Sequence, residues 1–301
     1  MRKSLTLLKY LGIIFGIVGL IISLFIVFNK AFFNTSLIID TDLASKFGSF
    51  FGGFIGTIFT ILSLILILYT IVNQNLENKK SSLTNNYFKM IDYHNENVKQ
   101  INIPNIDIDK KDFESNRRAF VIYKFQIKKI LESTREIIKE EKLEIKPSAL
   151  IDISYIIFFY GLDREWIDYI KNKLSMHKDS GKIIDKMIDR IESNTKIKMG
   201  RTNQTNLSTY FRNMYNAIKL IDNSNEFTLD EKKGLIKIYR AQLSNPELYV
   251  LFFNLSSRFG KKWKDRNYIK NYELLKNIPK DYCDGFDPKD YFPMTYEYEE
   301  L

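Results

Sequence analysis

Two runs in the first quarter of the chain, Leu11 to Phe28 and Phe47 to Val72, are apolar and carry no ionised side chain. About 20 apolar residues rising 1.5 Å each cross a hydrocarbon core of roughly 30 Å, so the pattern predicts two membrane-spanning helices. Spans of about 5–28 and 47–72 make residues 1–73 a transmembrane hairpin. The positive start Met1-Arg2-Lys3 also allows a cleaved signal peptide, but Asn29-Lys30-Ala31-Phe32-Phe33 lacks the small-x-small cleavage pattern. Arg2, Lys3 and Lys9 precede the first span and Lys79, Lys80 and Lys89 follow the second. The loop from about Asn29 to Lys46 offers Lys30 and Lys46 against Asp40 and Asp42. This asymmetry places both termini in the cytoplasm.

After the spans the pattern turns to helical period. Residues 74–101 read as a helical stalk continuing the second span, with Leu83, Tyr87, Phe88, Ile91 and Val98 as its apolar stripe. Asn102 to Asp109, containing Pro104, reads as a linker. Asp112 to about Glu141 returns to helix, with Phe113, Phe120, Ile127, Ile130 and Ile137 inward. Pro147 can open the next helix, whose run Ile151 to Tyr160 is apolar nearly all round and so belongs at the centre of the core; Gly161 stops it. Asp163 to Lys198 reads as shorter helices broken near Asp179-Ser180-Gly181, and Leu207 to Ile221 as another helix. Thr228 with Glu231 makes a capping box, and Asn245-Pro246-Glu247 combines a capping side chain, a proline and an acid at a second helix start. The expected fold class is all-α: a hairpin, the stalk, a helical cytoplasmic domain over 102–280, and an irregular C-terminal tail over 281–301 that wraps the surface.

Composition narrows the chemistry. With the first 73 of 301 residues set aside, 228 remain, enough for one sizeable core or two small ones. Forty basic and 34 acidic residues in that part give a net +6, spread without a dense basic block. This fits solvated helix faces, with an anionic lipid surface or nucleic acid as the functional alternative. The single cysteine, Cys283, excludes an intrachain disulfide and a CxxC metal pair. Neither His94 nor His177 stands at metal-ligand spacing. His94 reads as a surface or capping residue, or else a polar switch near the stalk. There is no Walker loop, GxSxG or GxGxxG, so no catalytic residue, metal or cofactor is expected.

Two aromatic-rich helices carry the polar residues that stand out. Tyr210-Phe211-Arg212-Asn213-Met214-Tyr215 sets Phe211 and Tyr215 one turn apart. Arg240, Gln242, Ser244, Glu247 and Asn254 bracket a tight corner between two further helices. A buried ion there needs a partner. The residues therefore form either an Arg240 or Arg212 pair with Glu247 that fixes the interhelical angle, or a small pocket or contact surface that senses a trigger.

These strings, continuing through Ile221-Asp222, Tyr239-Arg240-Ala241-Gln242-Leu243-Ser244-Asn245, Glu247-Leu248 and Leu251-Phe252-Phe253-Asn254, resemble the signature of the AbiC-like phage abortive infection proteins. The resemblance extends from about Gly48 to Lys276, and its layout of two spans ahead of a helical domain agrees. It implies antiphage defence at the bacterial inner membrane, in which the infected cell dies or stops growing before phage release. Some relatives look like toxic effectors of retron systems, so it also implies as partner a retron reverse transcriptase with its RNA-DNA, or a phage-derived trigger. One departure is Asn216, where many relatives are expected to carry His. A HEPN-type ribonuclease would need an Arg four to six residues before a His, and none occurs, so the chain is not expected to be an enzyme.

Small residues complete the reading. Gly48, Gly52 and Gly56 recur every four residues at the start of the second span, and Gly12 and Gly16 repeat the interval in the first. That spacing lets helices approach closely in lipid. It serves packing of one span on the other, or packing between chains into a homo-oligomer that leaks. Ser49, Thr60, Ser63 and Thr70 are candidates for one polar face, too narrow to line a large pore. The rival to a membrane-disrupting effector is a tethered sensor or scaffold that recruits a separate killer.

Overall fold

The computed structural model describes residues 2–28, 41–104, 113–193 and 202–300. The chain is mostly helical and divides into two compact units, Met1–Thr84 and Asn85–Leu301. Most of the connecting loop between the spans, and much of the linker read at 102–109, lie outside the described residues.

The first unit contains α1 (Arg2–Phe28), α2 (Thr41–Phe50), a π turn over Phe51–Ile55 and the start of α3 (Gly56–Gln100). The segment from Thr41, expected as loop, is therefore already helical. Among the described residues two stretches are long and apolar enough to cross a membrane, Leu5–Phe25 at a mean hydropathy of 2.3 and a window within Ala44–Gln100 at 2.5. Only 11% and 6% of these windows is buried, which is not how a core helix of a soluble protein behaves. The hydroxyls of Ser23, Thr60, Ser63 and Thr70 each donate to the carbonyl four residues back, at 2.7, 2.8, 2.9 and 2.9 Å, and Thr57 donates likewise to Gly53. Such back-bonding satisfies the donor without water. The π turn rotates what precedes it by about one residue, so Ser49 leaves the line of Thr60, Ser63 and Thr70.

The second unit takes the end of α3 and then departs once from all-α. Asn102–Pro104 (β1) pairs antiparallel with Phe113–Ser115 (β2), Ile103 opposite Glu114. Phe113, expected inward on a helix, instead lies on this short ladder, and the helix starts later, as a 3₁₀ turn Asn116–Arg118 leading into α4 (Ala119–Glu140). Pro104 lacks the amide that would extend α3 and suits an edge strand. There follow α5 (Pro147–Tyr160), α6 (Arg164–Leu174), α7 (Ser180–Ser193), α8 (Gln204–Asp222), α9 (Leu229–Arg240), α10 (Asn245–Ser256), α11 (Lys261–Asp265), α12 (Tyr268–Asn271) and α13 (Pro288–Tyr291).

Two helices form the centre. Every residue of Ile151–Tyr160 in α5 is buried, as its all-round apolar pattern implies, and Gly161 closes the helix at φ 78°, where a side chain would be strained. Every residue of Glu247–Ser256 in α10 is buried too, and both helices pack against α4. The stalk stripe enters the same core through Tyr87, Ile91 and Val98, while Phe88 stays 39% exposed. The tail is more than a surface wrap. Cys283, Phe286, Phe292 and Tyr296 join the core, Arg135 donates to the Asp284 carbonyl at 2.7 Å, and Tyr249 donates to the Asp284 carboxylate. Its aromatic rings have apolar area to bury, and that area draws the segment inward.

Candidate functional site

The capping box at Thr228 forms as read, with Glu231 N donating to Thr228 Oγ1 at 3.2 Å and Thr228 N to Glu231 Oε2 at 2.6 Å. At the next helix the cap is Ser244 rather than Asn245. Glu247 Oε2 accepts from Ser244 N at 2.8 Å and from Ser244 Oγ at 2.6 Å. The other carboxylate oxygen takes the Tyr210 hydroxyl at 3.3 Å. Glu247 is fully buried, and its cation is neither Arg240 nor Arg212. It is Arg117, on the turn before α4, at 3.9 Å. Arg117 also donates to the Gln242 carbonyl and to Asn95 Oδ1, so one guanidinium links α3, the β2–α4 junction and the α9–α10 corner. Arg240 instead pairs with Glu273 at 3.2 Å and donates to its carbonyl at 3.0 Å.

Above this corner opens a cleft of about 880 Å³ lined by Asn95, Lys99, Arg117, Arg118 and Gln242 among others. Beneath it sits His94, only 1% exposed, its ring centroid 4.4 Å from that of Tyr210 and 5.0 Å from that of Tyr239. His94 thus belongs to the core and not to the surface; the spacing Tyr87, Ile91, His94, Val98 places it on the buried stripe. Neither ring nitrogen has a hydrogen-bond partner among the described residues. Burial, and then the charge of Arg117, lower its pKa from 6.5 to about 4. The unfolded chain therefore binds a proton at higher pH than the folded one. The His94 contribution is complete above pH 6.5 and is lost as pH falls toward 4, by roughly 3 kcal/mol in all. We expect His94→Leu to flatten the fall in melting temperature between pH 6.5 and 4 of the full chain in detergent, and an unchanged slope would count against this assignment.

The remaining residues read as one cluster lie on a different face. Phe211, Arg212, Tyr215 and Asn254 line a second cleft, of about 540 Å³, together with Asn216. Successive residues of α8 separate them: Tyr210 turns to Glu247 and Phe211 to this cleft. Sequence reading also missed an ion cluster at Asp152. It accepts from Arg258 N at 2.9 Å and Nη2 at 2.6 Å, and lies 2.7 Å from His177 Nε2. Burial pushes this carboxyl up, but the hydrogen bonds from Arg258 and His177 outweigh it and hold the group below the usual carboxylate range. Its members stand 25 and 106 residues apart, so no local motif announces them. Among the described residues no three His, Cys, Asp or Glu side chains are placed to hold a metal ion.

The corner and nearly all of the second cleft are built from α8 to α11. Residues 202–283 match the family model described as Putative phage abortive infection protein. The matched segment contains every string on which the resemblance rests from Tyr210 to Asn254, and is narrower than the stretch from Gly48 to Lys276 over which the resemblance extends. Of the second cleft's lining, only Phe159 lies outside it. No curated protein and no solved structure matches the chain.

Proposed function

We propose that this chain is a membrane-anchored effector of antiphage abortive infection, set in the inner membrane with both termini cytoplasmic. The helical unit restrains the hairpins until infection is sensed; released hairpins then assemble and depolarise the membrane. The observation that carries this reading is an asymmetry among the glycines. A Cβ built on Gly12 would meet Ile65 and Leu66 at 3.7 and 3.8 Å, one on Gly16 would meet Leu62 at 3.9 Å, and one on Gly19 would meet Ile58 at 3.0 Å. The first helix thus spends its small residues inside the hairpin. A Cβ built on Gly48, Gly52, Gly53 or Gly56 would meet nothing within 4 Å among the described residues. Their face is free for a second copy to approach closely in lipid. The back-bonded hydroxyls favour a leak through packed hairpins over a wide aqueous pore.

A second reading, a tethered sensor that recruits a separate killer, draws support from the two polar clefts of the helical unit. A retron reverse transcriptase with its RNA-DNA, or a phage-derived trigger, would then be the partner read there. Deleting residues 1–73 tests where toxicity resides. Loss of killing on induced expression supports the effector, whereas killing by the truncated chain would move toxicity into the helical unit.

A further inference from the structure

We infer that the second cleft is a nucleotide-binding site. Its floor is aromatic: Phe159 from α5, Phe211 and Tyr215 from α8, and Phe259 and Trp263 from the segment after α10. These rings already form a packed set, Phe159 with Phe259 at 4.6 Å between centroids and Tyr215 edge-on to Trp263 at 5.2 Å. Tyr215 and Phe259 are the partly exposed members of this set, lying over the buried rings of Phe159, Phe211 and Trp263, and such surface takes a planar base by stacking, whatever the base.

The rim supplies the complementary charge. Arg212, Asn216 and Lys219 follow one another at helical spacing along α8, and Lys262 stands on α11. No carboxylate lines the cleft, and none of the three cations has an ion-pair partner among the described residues. Around α7 the cations are paired instead: Lys171 with Asp185, Lys182 and Lys186 with Glu141, and Arg190 with Glu136 and Glu140. Three unneutralised cations around one concavity raise the local potential for an anion, and phosphate matches a guanidinium flanked by ammonium groups.

A buried amide adds orientation. Asn254 is 3% exposed on an otherwise apolar helix and donates one amide hydrogen to Tyr155 Oη at 2.9 Å. Its Oδ1 and second amide hydrogen are uncommitted among the described residues, giving one acceptor and one donor for a base edge. Aromatic floor, cationic rim and one buried amide describe a ligand with a flat heteroaromatic ring at one end and phosphate at the other. The volume lies within the range of small-molecule sites. A free nucleotide and the terminal nucleotide of a single strand share this chemistry.

The inference stands apart from membrane leakage, because occupancy is read by binding and not by killing. The full chain in detergent would be titrated with ATP, GTP, CTP and UTP, with tripolyphosphate, and with a 5′-phosphorylated single-stranded oligodeoxynucleotide. The only other tryptophan is Trp166, so a Trp166→Phe background makes Trp263 fluorescence the reporter, with calorimetry as the second readout. We expect at least one nucleotide, or the oligonucleotide, to quench Trp263. Arg212→Ala with Lys262→Ala, both exposed and unpaired, should weaken binding at least about tenfold, the scale of a lost charged hydrogen bond. Binding by the oligonucleotide alone would support the site and name a strand end as the source. No binding at millimolar ligand, equal binding of tripolyphosphate, or wild-type affinity in the double variant would each overturn it.

Discussion

Gly52→Leu combined with Gly56→Leu is expected to abolish killing by the full chain while leaving its insertion intact. A Cβ at either position would meet nothing within 4 Å among the described residues. Leu is apolar and a better helix former than Gly, which favours the span as a span. On the proposed assembly, what the change removes is the close approach of a second copy, since close packing and not the hydrophobic effect holds helices together in lipid. Gly19→Leu makes the opposite control, because there even a Cβ meets Ile58 at 3.0 Å and the hairpin itself must give. Viable counts after induction, with membrane fractionation to confirm insertion, read the result. Wild-type killing by the Gly52 and Gly56 variant would sink assembly through this face.

Glu247→Ala is expected to cost the helical unit roughly 3 kcal/mol, the order found when a buried charged acceptor of several hydrogen bonds is removed. Ser244 would lose the acceptor for its amide and hydroxyl at the start of α10, and the fully buried Tyr210 hydroxyl would lose its own. For a unit of this size that corresponds to a fall in melting temperature of roughly 10 °C. The measurement is thermal unfolding of the full chain in detergent, followed by helical signal. Unchanged melting with lost defence would instead make the corner a sensing element.

The parts legible in the sequence are those written in local period. The two apolar runs, the wholly buried α5, the stop at Gly161 and the Thr228 to Glu231 box each follow from residues within a few positions of one another. What stayed hidden is long-range. The cation for Glu247 comes from Arg117, in a segment that reads as plain helix, and Asp152 gathers His177 and Arg258 from separate elements. The β1–β2 ladder has three residues a side, too short for an alternating pattern to show. His94 was within reach, since it falls on the Tyr87, Ile91, Val98 stripe; its polar type argued against burial, and the aromatic rings of Tyr210 and Tyr239 override that preference. The candidate site was found by composition and then divided by geometry, because Tyr210 turns to the buried Glu247 while Phe211, adjacent in sequence, lines the second cleft.

The most direct test of the account is membrane potential, followed with dye entry through phage infection in bacteria expressing the full chain with its genomic neighbours. Depolarisation before lysis, absent when Gly52 and Gly56 are both Leu, is the predicted result. A potential that stays intact in cells that still block phage would contradict it.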